Sequence, residues 1–153
     1  MYYNSTLLLA FLFVFTNTSA QYSAGQSYFD SNSYIEYIAG NLPIILTAAH
    51  GGYQEPAAIP NRNCTGCSYL RDAYTQELTR ELKDALFART GCYPHVIVNL
   101  LHRKKLDANR AITDAADGDP IGETAWQRYH DFIDSAKNRI NQTFGKGLYL
   151  DMH

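Results

Sequence analysis

Two histidines that close apolar stretches are the residues best placed to do chemistry. Leu42-Pro43-Ile44-Ile45-Leu46-Thr47-Ala48-Ala49 runs into His50-Gly51-Gly52, and Gly147-Leu148-Tyr149-Leu150 runs into Asp151-Met152-His153. Neutral imidazoles, joined by a carboxylate, are the usual protein ligands of catalytic zinc, and three such ligands leave a position open for water. A lone histidine at a strand end is more often structural, so the case rests on two strands delivering one each. Asp72, read as opening a helix, is the candidate third ligand in a set His50, Asp72, His153. Its bland reading is a first-turn acid favoured by the helix dipole. Glu55, five residues after His50, competes for the role.

A second cluster is Arg103-Lys104-Lys105-Leu106-Asp107-Ala108-Asn109-Arg110. Such runs are usually solvated charge. This one follows a buried strand and mixes Arg with Asn and Asp. An Arg fork grips a carboxylate through two parallel hydrogen bonds, and Asn adds a directional donor. Arg103, Asp107, Asn109 and Arg110 therefore read as a pocket for an anionic small molecule, with Asp107 orienting one Arg. His95, His102 and His130 carry no comparable context, and His130 reads as a boundary residue beside an apolar helical stripe.

The elements that must position these groups follow from periodicity. Residues 21–33 read as an extended arm. Tyr34–Ile38 and Leu42–Ala49 read as strands, the second apolar on both faces as in a central strand. Gly51–Ser68 is a long loop with Pro56, Pro60 and Gly66, and loops of that length in compact domains are usually functional. Arg71–Thr90 reads as a helix with Leu78, Leu82, Ala85 and Leu86 on one face and Gly91 as its stop. Pro94–Leu101 is a buried β-branched strand, and His102–Asp119 a charged loop. Pro120–Phe144 is a long amphipathic helix bearing Trp126, Tyr129, Ile133, Ala136, Ile140 and Phe144, started by Asp119-Pro120 and stopped by Gly145. Helices alternating with buried strands predict an α/β fold of three layers with a mostly parallel sheet. In such a sheet, ligands bind at the carboxyl ends of the strands, where all three clusters sit.

Leu7–Phe15 is a nine-residue apolar run followed by small Ser19-Ala20. It is too short to span a bilayer and reads as a secretory signal, residues 1–20, leaving 21–153 as the domain. Asn63-Cys64-Thr65 and Asn141-Gln142-Thr143 are then glycosylation sequons at Asn63 and Asn141. Cys64, Cys67 and Cys92 would meet an oxidising compartment. A disulfide at Cys64-x-x-Cys67 is favoured over half a zinc site or a redox pair. Three cysteines leave one thiol over or paired elsewhere. The length of 153 residues suffices for one core, and the net charge of −2 gives no reason to expect nucleic acid or an anionic membrane as partner.

Ala49-His50-Gly51-Gly52 with Pro56, Asp72, Thr90-Gly91-x-x-Pro94, Arg103-x-x-x-Asp107-x-Asn109-Arg110 and Asp151-x-His153 together resemble the N-formylglutamate amidohydrolase family, relatives of the zinc carboxypeptidases. The likeness covers about residues 42–153. It implies a phosphorylase/hydrolase-like fold and one Zn2+ held by His50, His153 and an acid. It also implies an Asn109-Arg110 pair on a substrate carboxylate. The family continues past the Asp-x-His strand, so the expectation is a domain truncated at its C-terminus, with its general base beyond residue 153. A secreted amidohydrolase acting on an N-acyl amino acid or peptide is one expectation. A secreted, non-catalytic binding protein that keeps the carboxylate pocket is the other.

Overall fold

The computed structural model describes residues 22–153; the secretory-signal reading lies outside them. Five strands form one sheet: β1 (Ser27–Phe29), β2 (Ile35–Ile38), β3 (Ile44–Ala48), β4 (His95–Asn99) and β5 (Leu148–Asp151). Among the described residues there are three helices, α1 (Thr75–Thr90), α2 (Ile112–Ala116) and α3 (Pro120–Phe144). The strand order is β1-β2-β4-β3-β5.

The fold is mixed α/β, but its sheet is not mostly parallel. β1 and β2 pair antiparallel, as do β2 and β4, while β3 runs parallel to both β4 and β5. The arm accounts for part of the difference. Residues 27–29 carry no apolar alternation, yet Asp30 turns the chain back by accepting from the backbone N–H groups of Tyr34 and Ile35 at 2.6 and 2.7 Å. That turn zips Ser27–Phe29 onto β2 as a strand the sequence does not announce.

Side chains alternate across the sheet as a strand period of two requires. Leu46, Ala48, Val96 and Val98 face α1, where Leu82 and Leu86 cover them. Ile45 and Ile97 face the other way, toward Tyr129, Phe132, Ile133, Ala136 and Ile140 of α3. Burying each such aliphatic side chain contributes roughly 1.5–3 kcal/mol. The bounds of α3 match the sequence pattern, with the Asp119 side chain accepting from Gly122 N–H and Gly145 closing the helix in the left-handed region.

The first helix departs from its expected pattern. It begins at Thr75, and its buried residues are Thr75, Gln76 and Thr79. Leu82 and Leu86 do cover the sheet, but Leu78 is exposed, as is Ala85. The reason is what lies beneath. Gln76 reaches down to donate to the Asn99 carbonyl, and Arg80 pairs with the buried Glu36 of β2. Polar residues thus seat the N-terminal half of α1. No helix among the described residues is long and apolar enough to cross a membrane.

Because β4, β3 and β5 are adjacent and parallel, their carboxyl ends share one edge of the sheet. Asn99, His50 and the Asp151–His153 pair emerge side by side there.

Candidate metal centre

His50 follows β3 and is 2% exposed. The two glycines after it are required by packing. A Cβ on Gly51 would sit 2.5 Å from Thr75 Oγ1, and one on Gly52 would sit 2.2 Å from the Leu101 carbonyl oxygen. The close approach they permit is to the chain's own loops. It presses the post-β3 turn against the start of α1 on one side and the end of β4 on the other. Asn99, fully buried, ties the same region by donating to the Ala49 carbonyl at 2.8 Å while accepting from Leu101 N–H.

Asp72 lies three residues before α1, in the turn that leads into it, and its backbone N–H donates to the His50 carbonyl at 3.2 Å. Between Asp72 and α1 lies Tyr74, held at φ 64°, a left-handed conformation that costs a non-glycine residue about 1–2 kcal/mol. His153 follows β5. Its ring centre stands 5.1 Å from that of His50.

One ligand atom from each of His50, Asp72 and His153 lies within 4.8 Å of the others. These three residues could hold a metal ion. Both histidines present Nδ1 to the same oxygen, Asp72 Oδ2, at 3.2 Å. Both have Nε2 occupied by a different carboxylate: His50 by Asp107 Oδ1 at 2.6 Å, His153 by Asp151 Oδ2 at 3.0 Å. A carboxylate at Nε2 favours the tautomer with its proton there, which leaves the Nδ1 lone pair for a metal. Such carboxylate–histidine pairs are the usual support for metal-bound imidazoles. The donor set fits a cation. Glu55 is not part of it; it is engaged with Lys104 at 2.5 Å and stands 3.8 Å from His102.

The charged loop after β4 supplies the support. Asp107 is 1% exposed. Burial opposes its ionisation, but the hydrogen bond from His50 and then the hydrogen bond and charge of Arg103 outweigh that and hold the carboxyl far below its usual range. Arg103 donates through Nε to Asp107 at 3.0 Å and through Nη1 to Asp72 Oδ1 at 3.1 Å. Asp107 does orient an Arg, as expected. Both residues are nonetheless turned inward, onto His50 and Asp72. Asn109 donates to Asp151 Oδ2 at 3.0 Å. Of the four residues read as a carboxylate pocket, Arg110 alone presents a side chain without a hydrogen-bond or ion-pair partner among the described residues.

One residue of the site carries no signal in the sequence. Arg62, in the loop after Gly52, is 4% exposed. It donates to the carbonyls of Arg103, Asp114 and Ser68 at 2.8–3.0 Å and lies 3.8 Å from Asp107. Nη1 also reaches the Cys67 sulfur at 3.3 Å. An arginine in a loop rich in Pro, Asn and Gly ordinarily faces water; the convergence of three carbonyls on it is a tertiary event.

Cys64 and Cys67 form a disulfide, and Cys92 is a free, half-buried thiol. Asn63 and Asn141 are exposed. His130 meets the Ala108 carbonyl at 3.1 Å and packs on Trp126, with burial lowering its pKa. It is the boundary residue expected. His95 is buried beside the Tyr37 hydroxyl, which meets its Nδ1 at 2.8 Å.

No protein-family model, no curated protein and no solved structure matches this chain.

Proposed function

We propose that the chain is a secreted, zinc-dependent amidohydrolase domain akin to the N-formylglutamate amidohydrolases, acting on an amide bond in a small, carboxylate-bearing substrate. The observation that carries this reading is the convergence of His50 Nδ1, His153 Nδ1 and Asp72 Oδ2, with Asp107 and Asp151 behind the two imidazoles. Two histidines and one carboxylate are a common catalytic zinc set. Zinc bound there supplies a Lewis acid for the amide carbonyl and lowers the pKa of water. Arg103 fixes Asp72 in place, and Asp107 fixes the tautomer of His50. Helices on both faces of a sheet with a parallel half are compatible with a phosphorylase/hydrolase-like fold. The Cys64–Cys67 disulfide and the exposed sequon asparagines support export, with Asn63 and Asn141 as glycan acceptors.

The test is metal content. Full-length chain recovered from a secreting host and purified without chelator should carry one zinc per chain. His50→Ala and His153→Ala should each lose it. A metal-free wild type that also fails to bind added zinc would remove the reading.

A second reading, a binding protein without catalysis, is favoured by a specific observation. Asp72, Asp107 and Asp151 are each engaged by neighbours, so none of the three is available as a general base. Zinc-loaded chain that binds N-acyl amino acids without hydrolysing them would select it.

A further inference from the structure

A guanidinium carries five N–H donors in a fixed fork. On Arg62, which is 4% exposed, four of them meet carbonyls: Nε and Nη2 meet that of Arg103, Nη2 that of Ser68 and Nη1 that of Asp114. The fifth is left to the disulfide, with Nη1 standing 3.3 Å from Cys67 Sγ and 3.7 Å from Cys64 Sγ. Sulfur of this kind is a weak acceptor. The cation also lacks a counter-ion of its own. Asp107, the closest carboxylate to it among the described residues, is 3.8 Å away and is held by His50 and Arg103. A buried charge without a partner is costly. Both cysteines are half-buried, and with Thr65, Gly66 and Ser68 they line a cavity of about 230 Å3 through which a small thiol can approach.

We propose that Cys64–Cys67 is a redox-active disulfide that exchanges with a dithiol, and that Arg62 holds Cys67 as the thiolate of the reduced state. The Cys64-x-x-Cys67 spacing alone does not separate a redox pair from a plain disulfide; the buried guanidinium does. A thiolate gives the fifth N–H a charged acceptor and gives the cation its partner. A cation beside a Cys-x-x-Cys sulfur brings the thiol below its ordinary pKa of about 8.5, and a sulfur of low pKa is the faster leaving group. The exchange therefore has a direction. A thiolate of the dithiol attacks Cys64 Sγ and bonds to it, while the Cys64–Cys67 bond breaks and its electron pair passes to Cys67 Sγ beside Arg62. The second thiolate of the dithiol then attacks its own sulfur in the mixed disulfide and expels Cys64. The dithiol leaves as a disulfide, having given up two electrons and two protons. One proton ends on Cys64 and the other is released to solvent. No ligand of the metal centre takes part. Among the other ionisable groups around the sulfurs, Arg110 favours the thiolate while Asp114 and Asp117 oppose it, and all three are exposed. Asp107 is turned to His50 and Arg103, and the Tyr69 hydroxyl meets the Cys64 carbonyl at 3.5 Å.

The test is a redox titration of the full-length chain in mixtures of reduced and oxidised dithiothreitol, a dithiol small enough to pass a glycan on Asn63. Alkylation and peptide mass follow Cys64 and Cys67 separately from Cys92. The wild-type disulfide should be half reduced at a ratio of reduced to oxidised dithiol at least tenfold lower than Arg62→Met requires. Arg62→Lys, which keeps the charge, should lie closer to wild type than to Arg62→Met. Because Arg62 also clamps three carbonyls, two measurements with Arg62 in place decide the matter if its variants do not fold. Reduced Cys92→Ser chain should retain one thiolate, read by its ultraviolet absorbance, at about pH 6.5, where an ordinary thiol is protonated. Reduced glutathione, a monothiol, should be captured as a mixed disulfide on Cys64 and not on Cys67. Equal ratios for wild type and a folded Arg62→Met, two protonated thiols at that pH, or glutathione on Cys67 would each overturn the proposal.

Discussion

The two histidines of the centre stand on very different ground. His50 belongs to the interior. It leaves a strand flanked by β4 and β5, its Nε2 meets a carboxylate that is itself buried, and that carboxylate is gripped by Arg103 and approached by Arg62. His153 belongs to the margin. It leaves β5, the last strand of the sheet, whose Leu148, Tyr149 and Leu150 are 52%, 43% and 37% exposed. Its supporting Asp151 is anchored by Thr47 at 2.7 Å and by Asn109, and His153 itself is exposed. The same chemical unit, a carboxylate behind an imidazole, is thus built once as part of the core and once as an appendage. In the first, holding the candidate ligand and holding the fold are one task; in the second they are separable.

The sharpest way to break this comparison is to remove each carboxylate. Asp107→Ala strips the partner from a buried imidazole and from two arginines. Loss of one member of a buried charge network costs about 3–5 kcal/mol, a large fraction of a small domain's stability. Asp151→Ala removes hydrogen bonds from a partly exposed pair and should cost about 1 kcal/mol. Urea unfolding of both variants checks the contrast, and equal costs would erase the distinction between the two halves. Both variants should bind zinc more weakly, since carboxylates behind ligating histidines typically account for about 10–100-fold in affinity.

Legibility in the sequence follows the same divide. β3, β4 and α3 carry strong apolar patterns and long runs, and they emerge with close to their expected bounds. The two candidate histidine ligands were readable because each ends an apolar run. The choice of Asp72 over Glu55 was not, since it depends on a turn folding back so that Asp72 N–H meets the His50 carbonyl. β1 was missed because its pairing comes from an aspartate-capped turn and not from apolar alternation. The face of α1 was read correctly at Leu82 and Leu86 but not toward its N-terminus, where Gln76 and Arg80 make the contacts with the sheet. Arg62 was invisible for a related reason: a loop arginine is recruited inward only by carbonyls drawn from three distant segments. The parallel half of the sheet was thus legible, and so was β2 as a strand; β1 and the antiparallel pairing of β2 were not, because tight turns and long-range polar contacts leave no period.

Acid should loosen the interior at a second point, away from the centre. Burial and the neighbouring Arg139 charge lower the His95 pKa from 6.5 to about 4. Below about pH 6.5 the unfolded chain takes up a proton that the native His95 refuses until about pH 4. Stability is therefore full above pH 6.5 and falls as the pH drops through that window. At pH 4.5 the loss from this group is about 2–3 kcal/mol. Unfolding free energies at pH 7 and 4.5 check it, with His95→Gln as the control: the variant should lose most of that slope. An unchanged slope would mean that the interior histidine is not held neutral.

The smallest effect on stability is expected at the opposite pole, on β5. Its three exposed apolar side chains and its outer row of backbone groups form an edge of the kind that recruits other strands. Leu148 is the most exposed of the three and contributes nothing to the centre. Leu148→Lys should therefore change unfolding free energy by less than about 0.5 kcal/mol, because the residue loses little packing and lysine is a natural edge protector. It should still lower self-association at high concentration, measured by light scattering. A loss of several kcal/mol would instead show that β5 is packed as an interior strand. In that event His153 would be as firmly founded as His50, and the contrast between the two histidines would vanish.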